Sequence, residues 1–251
     1  MITLNELCAY NDKLLGSAAV PDYCPNGLQI EGAPRITRFA TAVSASLDTI
    51  NAAIEFQAQA LIVHHGLFWT GDNYTIIGSK RDKIKRLLQN DISLLAYHLP
   101  LDIHTELGNN WKAAMDMGWT DLQPFGLYKG VTIGVKGRLP SITREQFKQK
   151  LEEFYQHPAN CALGGKSHVE TAALISGGAY KSISDAAADN IDCFVTGNFD
   201  EPVWHQAFEE KINFYALGHS ATERIGPQAL GKHLQQQFGL EYQFLDIHNP
   251  F

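Results

Sequence analysis

Residues 60–65 read ALIVHH: four aliphatic side chains running straight into two histidines. A short apolar run of this kind reads as a buried strand. In open α/β sheets, binding sites lie just outside the carboxyl ends of strands. Two further stretches follow the same plan. ISLLAYHLPLD (92–102) ends in His98 and Asp102, and NFYALGHSATE (213–223) ends in His219 and Glu223. His64, His65, Asp102, His219 and Glu223 are more His and carboxylate ligands than one zinc takes from protein. They suit two ions sharing a carboxylate.

Outward from these stretches, strands and helices alternate. Residues 38–45 read as a strand and 46–59 as a helix with Ser46 or Asp48 as its cap. A basic amphipathic helix spans 79–91, and a further helix covers 106–118. The second half repeats the theme, with strands at 169–178, 191–197 and 241–247 and helices at 182–190, 201–211 and 222–238. Such alternation predicts crossover units and largely parallel sheets. The sequence therefore divides into a first α/β lobe (1–118) with His64, His65 and Asp102, a connecting or inserted segment (119–167), and a second α/β lobe (168–251) with His219 and Glu223. The loop YCPNGLQIEG (23–32) carries no interpretable pattern.

Composition narrows the function. Hydrophobic residues make up 45% of 251, enough for a real core, and the net charge of −7 lacks the basic footprint of a general nucleic-acid binder. No run approaches the ~18 apolar residues of a membrane span. The start of the chain reads as an amphipathic helix, with Leu4, Leu7, Leu14 and Leu15 near one face. Cys8, Cys24, Cys161 and Cys193 form no CxxC pair and read as reduced thiols of a cytoplasmic protein.

Each motif also has an ordinary reading. Adjacent histidines arise by chance about 0.4 times in a chain with this histidine content, so the pair alone is weak. Side chains of neighbouring strand residues point to opposite faces, which requires the chain to leave strand geometry near Gly66. Asp102 alone reads as a loop residue ahead of a helix that Thr105 caps. Glu223 alone is a first-turn acid favoured by the helix dipole, with Ser220 or Thr222 as cap and His219 just outside the helix. His98 is a ligand, a proton shuttle or a residue that orients a ligand, and the last two are favoured. Recurrence at three strand ends carries the argument. SGGAY (176–180) is a glycine turn, read first as tight packing and second as an anion cradle. GGKS (164–167) lacks the leading glycine of a phosphate loop. His104, His157, His168, His205, His233 and His248 read as surface or structural.

Taken together, VHHGLFW (63–69), YHLPLD (97–102) and GHSATER (218–224) resemble the signatures of the Nif-three-like family, whose bacterial members are labelled GTP cyclohydrolase I type 2 homologues. PNGLQIEG (25–32), GNN (108–110), ISGG (175–178), FVTG (194–197) and FLDIHNP (244–250) match the short bacterial form. The resemblance implies two similar α/β lobes with mixed, largely parallel sheets facing a central cleft. It implies a dinuclear metal site with His64, His65, Asp102, His219 and Glu223 as ligands, and a ring-shaped homohexamer. Asn198 stands where many members have Glu, and Ser220 where a second His is common.

On this reading, His64 and His219 serve one divalent ion, His65 and Asp102 the other, and Glu223 bridges them. Zinc, iron, manganese, nickel and cobalt all suit nitrogen and oxygen donors. The expected chemistry is hydrolysis of a nucleotide-like, cyclic amide or phosphoester small molecule, with His98 handling a proton. The alternative is a non-enzymatic metal scaffold or a regulatory, partner-binding ring.

Overall fold

The computed structural model describes residues 1–251. The chain opens with β1 (Ile2–Thr3), α1 (Leu4–Leu15), β2 (Gly27–Ile30), β3 (Arg35–Ile36), β4 (Arg38–Ser44), α2 (Leu47–Glu55), β5 (Ala60–His65), α3 (Gly78–Gln89), β6 (Ser93–Ala96) and α4 (Leu99–Ile103). It continues with α5 (Asn109–Asp116), β7 (Thr120–Tyr128), β8 (Val131–Thr143), α6 (Arg144–Tyr155), β9 (Asn160–Leu163), β10 (His168–Leu174), α7 (Ile183–Ala188), β11 (Cys193–Thr196), α8 (Pro202–Glu209), β12 (Asn213–Ala216) and α9 (His219–Thr222). It closes with α10 (Ile225–Phe238) and β13 (Glu241–Phe244).

Local chemistry explains the element boundaries. Thr3 and Glu6 form a capping box that starts α1, and Thr143 and Gln146 form another at α6. The Ser46 hydroxyl accepts the Thr49 N–H and starts α2, while Asp48 complements the dipole in its first turn. β5 and β6 are buried almost end to end. Strands covered on both faces read as continuous apolar runs, without alternation. No helix is long and apolar enough to cross a membrane.

The fold is mixed α/β, in two compact units. The first comprises Met1–His104 with Gly226–His248, the second Thr105–Ile225 with Asn249–Phe251. The first unit's main sheet has the order β13-β4-β5-β6-β2. β13, β4, β5 and β6 run parallel, and β2 is antiparallel to β6. A small antiparallel pair joins β1 to β3. The second unit's sheet has the order β7-β8-β10-β11-β12-β9. Its centre, β10-β11-β12, is parallel, and the flanking strands are antiparallel.

Three sequence expectations change. The first boundary falls after residue 104, not 118. Residues 119–167 are no separate segment, because β7, β8 and β9 hydrogen-bond into the second sheet and α6 packs Phe147, Leu151 and Tyr155 into that unit's core. The second lobe does not run to 251 unbroken. β13 pairs with β4 in the register Glu241↔Arg38 to Phe244↔Thr41, so α10 and β13 complete the first unit. Contacts distant in sequence decide all three, strand pairing for the last two and packing of Ala113 and Ala114 into the second core for the first, and local periodicity does not report them.

Each unit has its own core. Leu61, Val63 and Leu94 pack with Ile50, Ala53 and Leu87 in the first. In the second, one sheet face meets α6 and the other meets Ile183, Ala186, Val203 and Ala207 of α7 and α8. Truncating a fully buried leucine such as Leu151 to Ala costs about 2–5 kcal/mol.

Candidate functional site

In the first unit, His64 and His65 are the last two residues of β5. Their ring centroids lie 4.7 Å apart although the strand continues through both. The strand ends at His65, so the chain leaves strand geometry at Gly66 as expected, although the Gly66 φ is not left-handed. What Gly66 supplies is space. A β-carbon there would meet the Gln29 amide at 2.3 Å, and Gln29 Oε1 accepts the Leu67 N–H at 2.8 Å.

The His64 Nδ1 is 3.0 Å from the Tyr97 carbonyl oxygen. A carbonyl only accepts, so Nδ1 carries the hydrogen and the neutral ring keeps its lone pair on Nε2. That Nε2 lies 3.6 Å from Asp102 Oδ2. Two ligand atoms on one ion at about 2.0–2.2 Å stand at most about 4 Å apart, so this spacing pairs His64 with Asp102 on one ion, where the sequence reading had given them to different ions. The His65 Nδ1 is 3.0 Å from Ser44 Oγ on the neighbouring β4. One ring nitrogen from each of His64, His65 and His98 falls within 4.8 Å of the other two.

His98 is held by residues from 23–32 and its approach, the stretch that sequence reading left uninterpreted. β2 lies in this stretch and pairs with β6. Asp22 Oδ1 accepts from the His98 Nδ1–H at 2.9 Å, and Asp22 Oδ2 accepts the Leu99 N–H at 2.9 Å. Asn26 Oδ1 accepts the His98 N–H at 2.8 Å, while its Nδ2 donates to Asp22 Oδ2 at 3.0 Å. Burial opposes ionisation of Asp22, but the hydrogen bond and charge of His98, with those from Asn26 and Leu99, outweigh it. They hold the carboxyl at about 2. Tyr23 and Trp69 pack edge-on against the His98 ring at 4.9 and 5.2 Å. The available sequence signal was D-Y-C-P-N-G (22–27), since Asp and Asn fold loops through their own side chains.

Asp102 sits inside α4, with Pro100 in the first turn, and not in a loop. The next helix starts at Asn109 with Gly108 as its cap, so Thr105 does not cap it. Cys24, although close by, is no thiolate. Burial and the Asp22 charge push it up to about 11. The donor set is nitrogen and oxygen.

In the second unit, His219 is the first residue of the short α9, not a residue outside the helix. The helix expected over 222–238 is interrupted, and α10 begins at Ile225. His219 Nε2 and Glu223 Oε1 are 3.2 Å apart. Glu223 is buried, and a carboxylate out of water needs a cation or strong donors beside it. Two glycines make the room. Gly177 has φ +65°, and a β-carbon on Gly197 would press to 2.7 Å from both the Gly177 oxygen and the His219 Cα. The Gly177 N–H donates to Thr222 Oγ1 at 3.0 Å, and its oxygen accepts the N–H groups of Gly197 and Asn198 at 2.9 Å. The SGGAY turn is thus close packing, and that N–H is already engaged.

The units share a plan that residue similarity hid. In each, three successive strands run parallel, and an antiparallel strand from earlier in the chain flanks the third: β4-β5-β6 with β2, and β10-β11-β12 with β9. After the third strand of each comes a histidine, then a carboxylate four residues on: His98 and Asp102, His219 and Glu223. In each pair the histidine stands at the start of a short helix and the carboxylate at its far end: His98 caps α4 and Asp102 lies in its last turn, while His219 begins α9 and Glu223 is its C-cap.

Comparison with known proteins agrees with this architecture. The profile of Duf34/NIF3 (NGG1p interacting factor 3) matches residues 2–250. A Chlamydia pneumoniae protein named GTP cyclohydrolase 1 type 2 homolog is 48% identical over 249 residues, 98% of each chain. The solved structure of protein ybgI, described as of unknown function, has a TM-score of 0.93 at 37% identity and full coverage of both chains. TTHA1606 from Thermus thermophilus has a TM-score of 0.91 at 33% identity, again over both whole chains.

Proposed function

Because this chain belongs to the Duf34/NIF3 family along nearly its whole length, we propose that it binds two divalent metal ions and uses them as a hydrolase of a nucleotide-like, cyclic amide or phosphoester substrate. The proposed ligands are His64, His65 and Asp102 with His219 and Glu223. The observation that carries the reading is the hydrogen bonding of His64. A buried imidazole tied through Nδ1 to a carbonyl turns its lone pair toward a carboxylate 3.6 Å away. Metal-bound histidines are oriented in this way by the group on their other nitrogen. The curated relatives' name points to nucleotide chemistry.

Bound divalent ions supply Lewis acidity and lower the pKa of a coordinated water. The chain's own residues do the rest. His98 accepts a proton at Nε2, because Nδ1–H is committed to Asp22. Asp22 stays ionised at any neutral pH and stabilises the imidazolium so formed. Asn26 holds the His98 backbone and keeps the ring aimed. Ser44 and Tyr97 orient His65 and His64.

The ring-shaped homohexamer is part of the same proposal, as is a cytoplasmic setting, where the four free cysteines stay reduced. Light scattering reads the assembly. Elemental analysis of protein purified without chelator, and after reconstitution with zinc, iron, manganese, nickel or cobalt, should give about two ions per chain. A content near zero under every condition overturns metal binding. A screen of nucleotides, cyclic amides and phosphoesters against metal-loaded and metal-free protein tests the hydrolase. A fully loaded protein with no turnover on any class overturns that part alone.

A further inference from the structure

The His219 side chain is 34% exposed, against 4% for Glu223, so burial does not fix it. The turn it begins does. Gly218 is the N-cap of α9 and has no side chain with which to accept a first-turn N–H. The Ser220 N–H instead donates to the Phe251 carbonyl oxygen at 3.1 Å, a partner distant in sequence. Asn249 Oδ1 accepts the Phe251 N–H at 3.0 Å and folds this segment on itself. The Pro250 oxygen lies 3.3 Å from His157 Nε2, and His157 Nδ1 lies 2.8 Å from the Pro158 oxygen. The same imidazole packs on Gly218, which has φ +87°. A β-carbon on Gly218 would stand 2.9 Å from His157 Nε2. Both chain neighbours of His219 are therefore held from elsewhere, Gly218 by the His157 ring and Ser220 by Phe251. His157 touches both holds.

We propose that Asn249–Phe251 is a strap that caps the His219 turn, and that the strap and His157 together position His219 as a ligand. The inference rests on the metal reading above for its second half only. Phe251 is 80% exposed, so the strap acts through its backbone. Outer partners of metal-bound histidines are worth about 10–100-fold in affinity, and the strap is expected to fall in that range.

The experiment compares the full chain with a deletion of 249–251 and with Asn249→Ala, Phe251→Ala, His157→Ala and His157→Gln. Amide exchange at Ser220 is read in metal-free protein, and Co²⁺ affinity by titration, with a thermal melt to confirm that each variant is folded. The deletion should speed Ser220 exchange about tenfold or more and weaken Co²⁺ binding about tenfold. Phe251→Ala, which keeps the backbone cap, should do neither. His157→Ala should weaken Co²⁺ binding, and His157→Gln, with an amide N–H for the Pro250 oxygen, should restore most of it. If the deletion fails to fold, Asn249→Ala carries the test by loosening the segment. Unchanged Ser220 exchange in both overturns the strap. Faster exchange with unchanged Co²⁺ affinity overturns the positioning role. If the unaltered protein binds no Co²⁺, the metal reading and the positioning role fall together, and the exchange data still decide the cap.

Discussion

A β-carbon on Gly177 would lie 2.2 Å from the Oε1 of Glu223, so the volume of one missing methyl group is what admits the carboxylate. Gly177 also has φ +65°, a backbone that an alanine adopts at a cost of about 1–2 kcal/mol. Gly177→Ala should therefore lower stability by at least that amount and displace Glu223, with loss of bound metal. Gly178→Ala is the control. Its nearest neighbour would be His219 Cε1 at 3.6 Å, an ordinary contact. Chemical denaturation and elemental analysis of the two variants check this, and equal behaviour would remove the steric argument.

Glu223→Gln keeps the side chain's size and removes its charge. On the proposed dinuclear reading, in which Glu223 would bridge, occupancy of both ions should fall, because the carboxylate would offset charge on two cations. Elemental analysis after equilibration at fixed free metal is the measurement. Native affinity for both ions would rule out the bridge.

Metal retention should fall with mild acid. Imidazole binds metal through a nitrogen without a proton, and free imidazole titrates near about 6.5. Bound metal competes with protons, so release begins below that value. Equilibrium dialysis between pH 7 and about 5 should show falling affinity, and a flat profile would argue against His64, His65 and His219 as ligands.

The Asp22–His98 pair sets a different pH window. The Asp22 carboxyl titrates near 2 when folded, below the ordinary value of about 3.9 for an unfolded chain. A depressed carboxylate contributes stability that is present above the unfolded value and is lost as pH falls through the folded one. The contribution is about 2 kcal/mol, and the side chain is only 3% exposed. Asp22→Asn should be less stable than the unaltered protein at pH 7, and the gap should shrink as pH drops from 4 toward 2. Urea denaturation across that range tests it. A gap that is constant with pH would mean Asp22 acts without its charge.

Asp192 separates ion pairing from hydrogen bonding. It accepts from Lys166 Nζ at 2.8 Å, from the Glu170 and Thr171 N–H groups at 3.0 and 3.2 Å, and from Thr171 Oγ1 at 3.1 Å. The Lys166 side chain is 74% exposed, so that pair is worth at most about 1 kcal/mol. The backbone groups lose their acceptor if Asp192 is truncated, at about 1–3 kcal/mol. Asp192→Ala should therefore cost clearly more than Lys166→Ala in a denaturant series. The reverse order would make the ion pair the dominant contact.

The sequence by itself determined the buried strands and several helix caps, and it singled out the candidate histidine and carboxylate residues. Buried parallel strands must be apolar on both faces, so ALIVHH, ISLLAYH and NFYALGH announce themselves as strands, and the polar residues after them stand out. Caps such as Thr3 and Ser46 are equally local, since a hydroxyl three residues from an N–H needs nothing distant. What tertiary structure decided were the pairings between segments far apart in the chain. β13 completing the sheet beside β4, β9 flanking β12, Asp22 reaching His98 and Phe251 capping Ser220 all depend on contacts with no periodic trace in sequence. The role of Gly177 is of the same kind. A glycine is legible as a turn from its neighbours, but the side chain that needs its empty space is known only once the chain has folded around Glu223.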